Sequence, residues 1–322
     1  MMTQEKFFVT GAFGCIGAWV VRELVQEGVK TAVFDLHTNP HRLKLLLDDE
    51  QLARVKIIQG DITDGATVAR VIADNAITHI IHLAALQVPF CKANPVLGAS
   101  VNVVGTVNVF EAARLAGLNH VVYASSIAVY GPKGEYPAGP LANDAPHRPR
   151  TLYGTYKSAN EATARVYYND YGIRSVTLRP YTVYGPGRDQ GMTSTPTQAM
   201  LAAALGRSYH ISFGGRCIYN YTQDTARAFI RAARLDYNGA GAFNLPGTVA
   251  TMAEVVAAIE TAVPHAQLSY DDNPLPFPEE IDEAPFHAAF GSMPFTSLQD
   301  GVVQTVALFQ ETVANGRLEM DD

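Results

Sequence analysis

The stretch KFFVTGAFGCIGAWVVRELVQEGVKTAVFD, residues 6–35, decides the fold. It opens on a β-rich run, Lys6 to Thr10, and passes into three glycines, Gly11, Gly14 and Gly17. A helical stripe follows through Val20, Val21, Leu24 and Val25 and stops at Gly28. A second β-rich run, Lys30 to Phe34, closes on Asp35. Strand, glycine turn, helix and strand begin a parallel βαβ unit. Gly11 permits the tight turn, Gly14 the approach of backbone to a pyrophosphate, and Gly17 close packing of helix on sheet. The N–H groups that open the helix suit an anion. Phe13, Cys15 and Ile16 complete the turn.

Asp35 lies 18 residues beyond Gly17. A carboxylate there accepts hydrogen bonds from adenosine ribose hydroxyls and repels a 2′-phosphate. It predicts NAD, with Leu36 and His37 beside it. A turn or capping aspartate is the alternative, and His37, His41 and Arg42 keep NADP open.

The alternation continues to residue 180. Val55 to Gln59 and His79 to Leu83 read as strands, as do Val121 to Ala124 and Ser175 to Arg179. Val68 to Asn75, Pro95 to Ala116 and Thr151 to Tyr171 read as helices. The expected fold is α/β, a doubly wound, Rossmann-type parallel sheet with helices on both faces. Asp61 and Ile62, after the third strand, point to the adenine end. The tail differs. Pro, Gly and Ser cluster at 185–196 and 272–294, among helical patterns at 197–206, 224–235, 252–263 and 298–315. Short β-like runs are expected at 210–213, 241–245 and 267–270. This predicts a dinucleotide-binding domain of 1–180 plus 224–246. A smaller C-terminal substrate-binding lobe takes 181–223 plus 247–322.

Bulk properties exclude several classes. The chain has 322 residues, 48% hydrophobic and 17% charged, with a formal net charge of −7. It is expected to fold around a large core. No block of Lys or Arg suggests a nucleic-acid or anionic membrane partner. Three cysteines without a CxxC pair suggest neither a disulfide framework nor a metal site. His79 and His82 read as strand-end residues, so no metal is expected. The opening MMTQEKFFVTG reads as lacking a signal segment, and no run is expected to be long enough to span a bilayer. A cytoplasmic enzyme is the expectation.

The chemistry resides in Ser125–Ser126, Tyr153 and Lys157. Tyr153 and Lys157 are one helical turn apart on one face. A free tyrosine, with pKa about 10, is a poor base at neutral pH. A neighbouring ammonium favours the phenolate, and Lys157 also suits the nicotinamide ribose. Ser126 is placed to hold a substrate oxygen against Tyr153, and Ser125 is expected nearer the cofactor. A surface Tyr and Lys on an ordinary helix are the bland alternative. The order of glycine turn, strand-end acid, serine pair and YxxxK argues against it.

The chain resembles the extended short-chain dehydrogenase/reductases of the NAD-dependent epimerase/dehydratase type. The matching segments are TGAFGCIG (10–17), GDI (60–62), HLAA (82–85) and NVVGTVNVFEAA (102–113), then YASSIAVYG (123–131), YGTYK (153–157) and LRPYTVYGPG (178–187). The resemblance implies Ser126, Tyr153 and Lys157 as the catalytic set. It implies Leu83, Ala84 and Ala85 along the cofactor and Asn102 as an ordering residue. Pro180, Thr182 and Val183 would close over the nicotinamide. Relatives pair helices equivalent to 95–116 and 151–171, so a homodimer is implied; a monomer covering them with its own tail is the alternative.

The departures bear on substrate. Sugar-nucleotide members usually have Asn where this chain has Thr182, and Arg where it has Cys217, with Arg216 one place off. No arginine occurs between Asp271 and Thr296. A diphosphate needs donors to replace its water, so a small polar substrate is expected instead. Gln87, Ser126, Tyr153, Thr182, Arg188, Tyr219 and Asn220 are its candidate contacts. Arg188 suits a carboxylate or a hydroxyl array, or is a hinge arginine. The expected reaction is NAD-dependent oxidation of a hydroxyl in a small free sugar, polyol or sugar acid. A sugar 4-epimerase, including one acting on nucleotide sugars, is the alternative, and a non-catalytic NAD sensor a third reading.

Overall fold

Strand β1 (Lys6–Thr10) sits within a seven-stranded sheet of order β10-β6-β5-β4-β1-β2-β3. The computed structural model describes residues 4–316. The strands are β2 (Lys30–Asp35), β3 (Lys56–Gln59), β4 (His79–His82), β5 (His120–Ala124), β6 (Arg174–Arg179) and, after three strands outside this sheet, β10 (Ala240–Asn244). Every pairing is parallel. The order reverses between β1 and β4, and the crevice at their carboxyl ends is where such sheets bind ligands.

Both sheet faces are buried, which explains the near-continuous apolar strands. Phe7 and Val9 point into a cluster with Trp19, Leu24 and Phe229. Phe8 points the other way, to Val68 and Phe110. Burial of each such side chain is worth about 1.5–3 kcal/mol. On the first face helix Cys15–Gln26 packs against Thr222–Arg234; on the second, Gly65–Asp74 packs against Gly105–Leu115. Segment 222–244 thus returns to the large sheet. Phe286 and Phe290, stacked at 4.3 Å, also join the first cluster, beside Phe243.

After β6 the chain enters a second body. Here β7 (Thr182–Tyr184) pairs parallel to β9 (Arg216–Tyr221), which pairs antiparallel to β11 (Thr248–Thr251). The short strands β8 (Tyr209–Ile211) and β12 (Leu268–Tyr270) form a parallel pair. Helices Thr195–Ala204, Met252–Ala262 and Leu298–Ala314 close a third core through Met200, Ile218, Ile259, Val302 and Phe309.

The sequence patterns miss β7, β9 and β11. In RCIYNY (216–221) every residue after Arg216 is buried, so no polar/apolar alternation marks it. Two further differences concern 95–116. The helical run is not uniform: a π-helical turn, Ser100–Val104, interrupts it. It is also long and apolar enough to span a bilayer, with mean hydropathy 1.4. That corrects the expectation that no run is. In the structure Val109, Phe110, Ala112 and Ala113 of this run lie in the second core.

Candidate active site

The glycine turn sits between β1 and the segment that leaves β4. Gly11 has φ +66°, and a Cβ there would lie 2.5 Å from the Ala84 amide nitrogen. A Cβ on Gly17 would lie 2.3 Å from the Gly11 carbonyl oxygen. Only glycine fits at either place. Helix Cys15–Gln26 starts after Gly14 with no side-chain cap, so its first amides are free for an anion. Asp35 accepts from the Phe13 amide at 3.0 Å and from His37 at 3.3 Å. Phe13, Leu36, His37, Asp61, Ile62 and Ala84 line the same outer cleft. Gly11, Gly14, Cys15, Leu83, Ala85, Gln87 and Arg188 line both this cleft and an inner chamber.

Into the inner chamber project Ser126, Tyr153 and Lys157, beside Gly17, Ile16, Pro180 and Val183. Ser126, two residues beyond β5, caps a short 3-10 turn, its Oγ accepting from the Ala128 amide at 3.2 Å. Thr151 caps helix Leu152–Tyr171, which puts Tyr153 and Lys157 on one face. Lys157 Nζ donates to the Ala124 carbonyl at 2.7 Å and lies 5.6 Å from the Tyr153 ring centroid. Burial pulls the Lys157 ammonium down to about 8, against Cys91 and Glu161. The Tyr153 phenol is raised rather than lowered: burial outweighs the opposing hydrogen bond with Ser126 and the charge of Arg188. The acidifying role expected of Lys157 falls here to Ser126 and Arg188.

Not every expected contact reaches the cleft. Thr182, Tyr219 and Asn220 are buried at 0%, 2% and 2% exposure. Thr182 and Tyr219 are register partners in β7 and β9, and Thr182 Oγ1 meets Cys217 Sγ at 3.5 Å. Asn220 accepts from the Tyr181 amide at 2.7 Å and donates to the Pro246 carbonyl at 2.8 Å. All three lie buried on β7 and β9, and none lines the inner chamber or the outer cleft. Asn102, in the π turn, grips the Leu86 backbone at 2.7 and 2.9 Å and lines neither cavity. Ser125 does line the inner chamber, with its Oγ donating to Glu161 at 2.5 Å. Cys217 is buried and its thiol is pushed up to about 11. Arg216 points outward to Glu280 at 2.9 Å.

Other groups were missed. Glu161 follows Lys157 by one helical turn and accepts from Arg179 at 2.8 and 2.6 Å. Arg179 also donates to Tyr130 at 2.5 Å and to the Asn143 carbonyl at 2.8 Å. The buried carboxylate therefore ties the end of β5, β6 and helix Leu152–Tyr171 together. Its spacing from Lys157 was a usable signal. Arg188 donates to Gln87 at 3.4 Å and to Thr193 at 3.0 Å, near Tyr181, Met192 and Phe277. Nothing local in the sequence marks Phe277, which packs edge-on to Tyr181 at 5.8 Å.

The fold and cleft define a dinucleotide-dependent enzyme class. The profile of the NAD dependent epimerase/dehydratase family matches residues 7–245, and the chain belongs to that family. A UDP-glucose 4-epimerase of Mycolicibacterium smegmatis is 31% identical, over 95% of this chain and 98% of that protein. Among solved structures, a partial consensus L-threonine 3-dehydrogenase has TM-score 0.84 and 25% identity, covering 95% of this chain and 100% of that one. The Thermus thermophilus UDP-glucose 4-epimerase in complex with NAD has TM-score 0.78 and 28% identity, covering 95% and 99%. The family's cofactor is NAD, and the glycine cradle, uncapped helix start and Asp35 fit it.

Proposed function

We infer that this is an NAD-dependent oxidoreductase acting on a hydroxyl of a small polar substrate: a free sugar, a polyol, or a sugar or other hydroxy acid. The observation that carries it is Arg188, set with Gln87 and Thr193 in the chamber that holds Ser126 and Tyr153. NAD, when bound, takes the hydride from the substrate carbon. Tyr153 Oη takes the hydroxyl proton as phenolate. Ser126 Oγ holds the same oxygen, so the alcohol is aligned before the proton moves. Lys157 would hold the nicotinamide ribose, while Ser126 and Arg188 oppose the burial that disfavours the phenolate. Gly11, Gly14 and Gly17 would cradle the pyrophosphate and Asp35 would hold the adenosine ribose. Arg188 takes a carboxylate or paired hydroxyls, bidentate where the geometry allows.

A second reading is a 4-epimerase, in which the hydride returns to the opposite face. The full-length similarity to UDP-glucose 4-epimerases favours it. Against a diphosphate substrate stand buried Thr182 and Cys217 and outward-facing Arg216. The two readings separate in one assay. Purified protein with NAD and a panel of aldoses, uronates, polyols and hydroxy acids should accumulate NADH at 340 nm (an assay wavelength, about standard for nicotinamides). Sugar turnover without absorbance change, or micromolar inhibition by UDP, would replace the first reading with the second.

We also infer a cytoplasmic homodimer through helices 95–115 and 152–171. Val96, Val104 and Val166 there are 77%, 49% and 53% exposed, an apolar surface that suits a twofold four-helix contact. Sedimentation at a monomer's mass would refute it.

A further inference from the structure

Arg42 occupies a position from which a 2′-phosphate would be expected to draw a cation. It lines the outer cleft with Asp35, His37 and His41. Its Nη1 donates to the Phe13 carbonyl at 2.6 Å, while the Phe13 amide donates to Asp35 Oδ2 at 3.0 Å. Arg42 and Asp35 thus grip one residue from two sides, at the end of the cleft that the ribose takes. An arginine so placed normally favours NADP, since its planar fork matches phosphate oxygens. Here the fork is engaged elsewhere. Nε donates to Asp189 Oδ2 at 2.9 Å and Nη2 to Oδ1 at 2.5 Å, a side-on bidentate pair. His41 Nε2 stands 3.6 Å from the same carboxylate.

We propose that Asp189 is a cofactor-specificity residue: by engaging Arg42 and His41 it denies both to a 2′-phosphate, and so keeps the cleft selective for NAD. Asp35 repels the phosphate directly. Asp189 removes the cation that would compensate for that repulsion. It acts from 147 residues away, on the 185–193 segment that also carries Arg188. That segment has its own anchors, Trp19 Nε1 donating to the Pro186 carbonyl at 2.8 Å and Gln198 Nε2 donating to the Asp189 carbonyl at 2.7 Å. Loss of the Asp189 charge therefore leaves the segment attached.

The inference rests on the NAD site, and NADH binding is the internal control for that site. The experiment is titration of NADH and NADPH against the full chain by ligand fluorescence, in wild type, Asp189→Asn and Asp189→Asn/Arg42→Met. Asp189→Asn should raise NADPH affinity relative to NADH by about tenfold, the worth of a charge-assisted contact. The double variant should return the ratio to that of wild type. If Asp189 only staples the loop, both affinities fall together and the ratio stays fixed, which overturns the proposal. The same pair of substitutions on an Asp35→Ser background keeps NADPH binding measurable. An unchanged ratio there also overturns it. Absent NADH binding in wild type would instead refute the cofactor site itself.

Discussion

Replacing Glu161 by Gln should destabilise the protein and slow it, because one buried carboxylate holds three elements in place. Glu161 accepts from Arg179 Nε at 2.8 Å, Arg179 Nη2 at 2.6 Å and Ser125 Oγ at 2.5 Å, with His147 Nε2 at 3.4 Å. Both members of the ion pair are nearly inaccessible, at 1% and 4% side-chain exposure. The amide keeps the shape but leaves the Arg179 guanidinium charged and uncompensated. Breaking such a pair costs about 3–5 kcal/mol. With about 2.1 cal/mol/K of unfolding entropy per residue, a chain of this size should lose about 4–7 °C in Tm. Burial pushes the Glu161 carboxyl up, but hydrogen bonds and charge from Arg179, with His147 and Ser125, hold it below its ordinary value of 4.5. The lowered folded value fixes the sign. The pair's contribution is complete above the unfolded carboxyl's pKa and is lost as pH falls through the folded one. Thermal unfolding of both proteins should therefore show a steady gap at neutral pH that narrows in acid. A neutral-pH Tm within about 1 °C of wild type would refute the idea that this pair is stabilised by mutual compensation.

Two further outcomes follow from the site. Tyr153→Phe removes only the exchangeable proton, so turnover should fall by about a hundredfold or more while NADH titration stays within twofold of wild type (roughly the error of such a comparison); near-normal turnover would remove Tyr153 from the proposed catalytic set. Thr182→Val should leave kcat and KM nearly unchanged and alter stability by about 1 kcal/mol or less, because Thr182 contacts Cys217 and not the cleft; a large rise in KM would return Thr182 to the substrate pocket.

The large sheet was legible because its signals are local. Gly11 and Gly17 are fixed by contacts within one turn and with the neighbouring strand, and Phe7, Phe8 and Val9 declare a strand buried on both faces. That Ser126, Tyr153 and Lys157 share one chamber was legible by order and spacing, since a strand end and one helical turn suffice to place them. Thr182, Tyr219 and Asn220 misled for the opposite reason. Polar side chains in a candidate pocket segment look like contacts, yet on β7 and β9 they are buried, and Asn220 serves the backbone of Tyr181 and Pro246. Polarity alone does not distinguish a ligand contact from a satisfied buried group.

The substrate was least legible because its chamber is assembled from distant segments. Gln87 follows β4, Tyr181 follows β6, Arg188 and Thr193 come from the loop after β7, and Phe277 arrives from the tail. The same loop presents Arg188 inward and Asp189 outward to Arg42, so adjacent residues face the substrate and cofactor ends of one cleft. A chain can thus keep the glycine turn and the Ser126–Tyr153–Lys157 set while changing both substrate and cofactor preference. A shared fold and dinucleotide turn therefore define the family more firmly than the molecule on which a member acts.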